Sequence, residues 1–117
     1  MRFKRADRVA ALIKEEVGRL LIREVKDPDI GFVTITKVKV SDDLRYGKIY
    51  YSVLGDQAKQ EAAQHGLSRA QAFIRSHIGQ RLDIRFVPEI QFVYDDSAAY
   101  AEHIELLLKK LHSPNDA

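Results

Sequence analysis

The apolar residues of this chain change period across Asp27-Pro28-Asp29-Ile30-Gly31, and that change limits the folds open to it. Before this segment, Val9, Leu12, Ile13, Val17, Leu20, Leu21 and Val25 recur at steps of three and four, one stripe of helical period. Arg8, Glu15, Arg19 and Lys26 fall on the other side. Asp7 is placed to cap this helix, which the pattern carries to about Lys26. Pro28 disfavours helical geometry at Asp27, so the segment reads as a turn that ends the helix. After it, Phe32 to Val40 is rich in β-branched residues and predicts a strand. The chain therefore combines helix and sheet from its first forty residues.

The alternation of that strand slips, since Val33 and Ile35 share one parity and Val38 and Val40 the other. A bulge near Thr36-Lys37 would return both pairs to one face. Ser41-Asp42-Asp43-Leu44 reads as a turn, and Arg45 to Val53 as the partner strand with Ile49, Tyr51 and Val53 on one face. So short a connection predicts an antiparallel hairpin. Gly55 breaks the strand, and Asp56 can cap a helix carrying Ala58, Ala62 and Ala63. Gly66 is expected to interrupt it. A further helix, Leu67 to Leu82, presents Leu67, Ala70, Ile74, Ile78 and Leu82. Ile84 to Tyr94 alternates as a strand, and Pro88, without a backbone donor, puts it at an edge or at a bulge. Asp95, Asp96 and Ser97 offer caps for a last helix to about Leu111, with Tyr100, Ile104, Leu107, Leu108 and Leu111 on its apolar side. The fold expected is a small α+β sandwich forming one domain over residues 1–111, with a disordered tail at 112–117.

Composition removes several kinds of chemistry. The 117 residues contain no Cys, so disulfides, thiolate metal sites and a Cys nucleophile are excluded. His65, His77, His103 and His112 show no metal-ligand spacing and read as surface or partly packed residues. There is no G-x-S-x-G elbow and no phosphate-binding glycine loop. Asp42-Asp43 and Asp95-Asp96 are explained by turns and caps. The expectation is a protein that is not an enzyme, with no catalytic residues, metal or cofactor. No apolar run reaches the roughly 20 residues that span a bilayer, and Met1-Arg2-Phe3-Lys4-Arg5 lacks the apolar core of a secretory signal. A cytoplasmic location without membrane contact is expected.

The charge is unevenly spread. The net value is only +2, yet residues 1–26 carry +4 and residues 67–87 carry +3, against −1 over 27–66 and −4 over 88–117. Two basic segments brought together by the fold would attract phosphates whatever the total. Arg69 and Arg75 lie about 240° apart around a helix, so the arginines do not form one stripe. One flank can still join Arg85 and the N-terminal basic group. The candidate RNA-binding residues are Arg2, Lys4, Arg5, Arg8, Arg45, Arg69, Arg75, Arg81 and Arg85. Phosphate contacts of this kind are salt-dependent and nearly blind to sequence. No run of exposed aromatics alternates with basic residues, so base stacking on a sheet face is not expected; Phe86, Phe92 and Phe73 read as core. The other reading is a protein-interaction module that uses its terminal helix or an edge strand.

Four stretches, taken in order and spacing, carry a resemblance. They are Arg8-Val9-Ala10; Asp27-Pro28-Asp29-Ile30; Val33-Thr34-Ile35-Thr36-Lys37-Val38 with Ser41-Asp42-Asp43-Leu44; and Pro88-Glu89-Ile90-Gln91-Phe92 with Asp95-Asp96-Ser97. Over about residues 3–111 the chain resembles the bacterial ribosome-binding factor A family. The resemblance implies a type II KH-like fold of α-β-β-α-α-β order, a three-stranded sheet with helices on one face, plus the C-terminal helix. It also implies a monomeric assembly factor that binds the free small (30S) ribosomal subunit and its 16S rRNA. That factor assists late maturation and 5′-end processing of the rRNA and supports growth in the cold. KH domains that grip single strands use a G-x-x-G loop, and no two glycines here have that spacing. The family replaces the loop by a helix–kink–helix reading Ala-x-Gly. Here the tripeptide is Ala70-Gln71-Ala72, and a bend is expected between Gly66 and Ala72.

Overall fold

The computed structural model describes residues 4–31, 33–96 and 105–111. Helix α1, Arg5–Arg23, is followed by a 3₁₀ turn, Pro28–Ile30, strands β1, Val33–Val40, and β2, Tyr46–Val53, helix α2, Gln57–Arg81, and strand β3, Glu89–Tyr94. Residues 105–111 are helical (α3). The expected tail and the stretch 97–104, with Ser97, Tyr100, Ile104 and His103, lie outside the described residues.

Helix α1 begins earlier than Asp7. Lys4 occupies the cap position with no side-chain cap, and Asp7 lies in the first turn, where a carboxylate suits the helix dipole. The earlier start brings Ala6 into the buried stripe with Val9, Ala10, Ile13, Val17 and Leu20. Leu12 lies off that stripe and is exposed, and the helix ends at Arg23 rather than Lys26. The turn at Asp27 is as expected: its carboxylate accepts from the Asp29 N–H at 3.0 Å, and Pro28 opens the 3₁₀ turn.

The sheet order is β1-β2-β3. Strands β1 and β2 pair antiparallel, and the register jumps from Ile35↔Tyr51 to Lys37↔Tyr50, leaving Thr36 as the extra residue of a bulge. Val33, Ile35, Val38 and Val40 thereby pack together against the core. The Thr36 hydroxyl donates to Asp95 Oδ2 at 2.7 Å, so the bulged residue holds the chain leaving β3, whereas Asp95 was expected only as a helix cap. Strand β3 pairs parallel with β2, a geometry that requires the α2 crossover. It begins at Glu89 rather than Ile84, because Pro88 has no N–H and the Glu89 N–H to Arg45 carbonyl bond, 2.8 Å, comes first.

The core lies between the sheet and the two long helices. Ile13, Val17 and Leu20 of α1 meet Ile49 of β2, Ile74 and Ile78 of α2 and Ile90 of β3. A neighbouring cluster holds Ile30, Tyr51 and Leu67, with the Tyr51 ring edge-on to Phe92 and Tyr94. Burial pushes the Tyr51 hydroxyl above its usual range, Tyr94 adding to the shift. His77 is buried, not superficial, with Nε2 3.0 Å from Glu16 and Nδ1 3.8 Å from Glu24, tying α2 to α1.

Three further expectations are corrected. The stretch between β2 and β3 is one helix of 25 residues, not two, and it runs unbroken through Gly66 and Ala72. Gly66 is buried where α2 meets the 3₁₀ turn; a Cβ there would lie 2.8 Å from Ile30 Cγ1. Its small size serves close packing, and Ala72 keeps the helix regular where glycine would weaken it. Phe86 is not core but 74% exposed, and Phe73 is exposed as well; only Phe92 packs on the core. Finally, Leu107, Leu108 and Leu111 of α3 are exposed along with Leu106, so this helix contributes no buried face among the described residues.

Candidate nucleic-acid interface

An open cleft of about 640 Å³ lies where four elements meet. Arg5 and Val9 come from α1, Asp43 to Arg45 from the β1–β2 turn with Tyr46 at the start of β2, Arg75 from α2, and residues 84–88 from the approach to β3 with Glu89 at its start. Arg5, Arg45, Arg75 and Arg85 all line it, against the carboxylates of Asp43 and Glu89. The aromatic rings of Tyr46, 58% exposed, and Phe86 stand at the same cleft.

Local chemistry explains the placement. Leu44 has φ 62°, a left-handed conformation that costs a non-glycine residue roughly 1–2 kcal/mol. The turn holds it there. The Leu44 N–H donates to the Ser41 carbonyl at 2.8 Å, the Ser41 hydroxyl to Asp43 Oδ1 at 2.7 Å, the Arg45 N–H to the same carboxylate at 3.1 Å, and the Tyr46 N–H to Ser41 Oγ at 3.0 Å. The Ser41 hydroxyl, then the Arg45 N–H, hold the Asp43 carboxyl below its usual range. This network directs Arg45 and Tyr46 to the cleft. On the opposite wall Arg75 Nε and Nη2 donate to the Pro88 and Val87 carbonyls at 3.2 and 3.1 Å. Arg75 thus secures the segment that carries Arg85, whose guanidinium lies 5.6 Å from the centre of the Phe86 ring.

The other candidate residues separate from this group. Arg69 Nη2 donates to Asp27 at 3.0 Å and to Asp29 at 2.7 Å, clamping the 3₁₀ turn onto α2. The Asp29 bond, followed by the Asp27 bond, raises the Arg69 pKa further. The Asp29 N–H and then Arg69 hold the Asp27 carboxyl down. Lys4 lies 3.7 Å from Asp42, with both side chains largely exposed, a pairing of little energetic weight. Arg8 and Arg81 are exposed and line no part of the cleft. Arg2 lies outside the described residues. Charge counting had no means of finding Tyr46 and Phe86; the available signal was the repeated Arg-aromatic dipeptide, Arg45-Tyr46 and Arg85-Phe86.

Among the described residues no group of three or more His, Asp or Glu is placed to hold a metal ion. No described helix is long and apolar enough to cross a membrane. The cleft offers guanidinium donors and aromatic surface, the combination that suits phosphates and bases.

Comparison with known proteins gives the chain a family. The model of the family described as Ribosome-binding factor A matches residues 5–108. The ribosome-binding factor A of Geobacter metallireducens is 48% identical over 111 residues, covering 95% of this chain and 94% of that protein. The crystal structure of ribosome-binding factor A from Thermus thermophilus superposes with a TM-score of 0.67 at 22% identity, over 76% of this chain and 94% of that one. A homology model of the Thermus thermophilus ribosome-binding factor A, fitted into the cryo-EM map of its 30S complex, superposes with a TM-score of 0.57 at 22% identity, over 74% of this chain and 94% of that one. On its sequence along nearly the whole length, and with a fold shared by these structures, this chain belongs to the ribosome-binding factor A family.

Proposed function

We propose that this protein is a non-enzymatic assembly factor that binds the small ribosomal subunit and docks on 16S rRNA through the arginine-lined cleft. The observation that carries this reading is the convergence of Arg5, Arg45, Arg75 and Arg85, distant in sequence, on one cleft. Family membership supports the subunit as partner, since a relative is fitted into a 30S complex. Phosphate contacts then bias one conformation of the immature subunit, assisting late maturation and 5′-end processing of the rRNA, with its greatest effect in the cold. The protein acts in the cytoplasm as a monomer, with residues 1–111 as one domain.

Sedimentation with purified small subunits tests this reading. Wild-type protein should co-migrate with free 30S subunits, and binding should weaken steeply with salt, log K falling by roughly 0.7–0.9 per phosphate neutralised for each tenfold rise. Arg5→Glu/Arg45→Glu/Arg85→Glu should abolish co-migration at moderate salt with an unchanged fold. Arg75 is excluded because it holds backbone carbonyls. Undiminished binding by the triple variant would remove the cleft from the interface. Cells carrying only that variant should accumulate 16S rRNA with an unprocessed 5′ end on cooling. The exposed leucines of α3 favour a second reading, a protein partner; binding indifferent to salt and lost with Leu107→Glu/Leu111→Glu would support it instead.

A further inference from the structure

The sheet face turned away from the helices carries a basic and aromatic arrangement that shares only Tyr46 with the cleft and that corrects the expectation of no alternation between aromatic and basic residues. Along β2 the side chains opposite in parity to buried Ile49 and Tyr51 are Tyr46, Lys48 and Tyr50, an aromatic–basic–aromatic row. In the register, Lys48 lies between Lys39 of β1 and Gln91 of β3, and Tyr50 lies beside Lys37. Lys39 and Lys48 are thus directly opposite, a like-charge pair that destabilises a bare sheet. None of the ion pairs between described residues involves Lys37, Lys39 or Lys48. The ammonium groups of Lys37 and Lys39 gather on an aromatic ring instead, with Lys37 Nζ 4.6 Å and Lys39 Nζ 5.9 Å from the Tyr50 ring centre. The nearest acidic residue in the register is Glu89, beside Tyr46.

We infer that this open sheet face is a second contact surface, binding a single-stranded RNA segment whose bases stack on Tyr50 and Tyr46 while Lys37, Lys39 and Lys48 hold its phosphates. Tyr46 and Tyr50 are four residues apart on a strand, about 13 Å, and Tyr46 also lines the arginine cleft. One strand of RNA can therefore run from the sheet into the cleft without leaving basic surface. Sheet faces that read RNA in other folds stack two or three bases on aromatics in this manner. A base displaces Lys37 from the Tyr50 ring readily, because an exposed cation–π contact is weaker than base–aromatic stacking. The like-charge pair across Lys39 and Lys48 is relieved by the same phosphates.

The inference rests on the RNA-binding reading above, and the test separates the two. The full chain is titrated by fluorescence anisotropy against an eight-nucleotide oligouridylate and against an RNA hairpin with a fully paired stem. Tyr50→Leu and Tyr46→Leu should each weaken single-strand binding about tenfold, and Tyr50→Leu, whose ring lies outside the cleft, should leave duplex binding unaffected. Tyr50→Phe, which keeps the ring, should bind as wild type. Lys37→Gln/Lys39→Gln/Lys48→Gln should weaken single-strand binding and flatten its salt dependence. Wild-type affinity in Tyr50→Leu and Tyr46→Leu, with loss in Arg5→Glu/Arg45→Glu/Arg85→Glu, overturns the sheet-face inference and leaves the cleft standing. Failure of the wild type to bind either RNA at low salt overturns both. Thermal melts of each variant confirm that the fold is intact.

Discussion

Replacing Gly66 by alanine opposes two effects whose sizes can be compared. In a helix interior alanine is favoured over glycine by about 1 kcal/mol, so on propensity alone Gly66→Ala should stabilise α2. The structure reverses this. A Cβ at position 66 would lie 2.8 Å from Ile30 Cγ1 and 3.3 Å from Asp29 Cβ. Neither neighbour moves easily. Ile30 is buried with Tyr51 and Leu67, and Asp29 is held by Arg69 at 2.7 Å, three residues along the same helix. Overpacking at a well-filled site costs about 1–3 kcal/mol, so the net effect should run from about zero to 2 kcal/mol destabilising. Gly18 of α1 is the internal control, since a Cβ there meets no atom within 4 Å; Gly18→Ala should stabilise by about 0.4–1 kcal/mol. Urea unfolding of both variants measures the contrast, which should equal the overpacking cost. In melting temperature, each 1 kcal/mol corresponds to about 4 °C for a domain of this size. In an Ile30→Ala background the Gly66→Ala penalty should disappear, a coupling that a double-mutant cycle isolates. If Gly66→Ala stabilises the protein as much as Gly18→Ala does, the reasoning about this contact is wrong.

Other perturbations test other parts of the fold. Ala72→Gly, at an exposed helical position, should destabilise by about 1 kcal/mol and lower amide-exchange protection around residues 70–76. Ile49→Ala, at a position with no solvent exposure, should cost about 2–5 kcal/mol in urea unfolding. Asp27 has a depressed folded pKa relative to its ordinary value of 3.8, so its contribution to stability is present above that value and is lost as pH falls through the folded pKa. The melting-temperature gap between wild type and Asp27→Asn should accordingly be constant above about pH 5 and close below pH 3.8; a gap that persists at low pH would show that the charge is not the cause.

The type of most elements and the stripe of α1 were legible in the sequence because hydrophobic period depends only on local geometry. The stripe from Val9 to Leu20, the Asp27-Pro28 stop, the Asp56 cap and the hairpin could all be read without the fold. The slipped parity of Val33-Ile35 against Val38-Val40 even located the bulge at Thr36. Family membership was equally legible, since it resides in the order of the motifs. What could not be read was decided by neighbours distant in the chain. Gly66 looked like a helix breaker and is a contact point for Ile30. Arg69 looked like a free cation and is engaged by two aspartates about forty residues earlier. Phe86 looked like core because it sits in an alternating run, yet Pro88 delays the strand and leaves the ring exposed at the arginine cleft. Residues of the same type have different roles according to what the fold places beside them, and net charge or periodicity contains no record of those neighbours. The sequence alone determined the period of each element and the buried stripe of α1 from Val9 to Leu20 apart from Leu12; the tertiary structure decided which other apolar residues are covered and which charged and aromatic residues remain available to a partner, because only the packed chain shows which are already engaged.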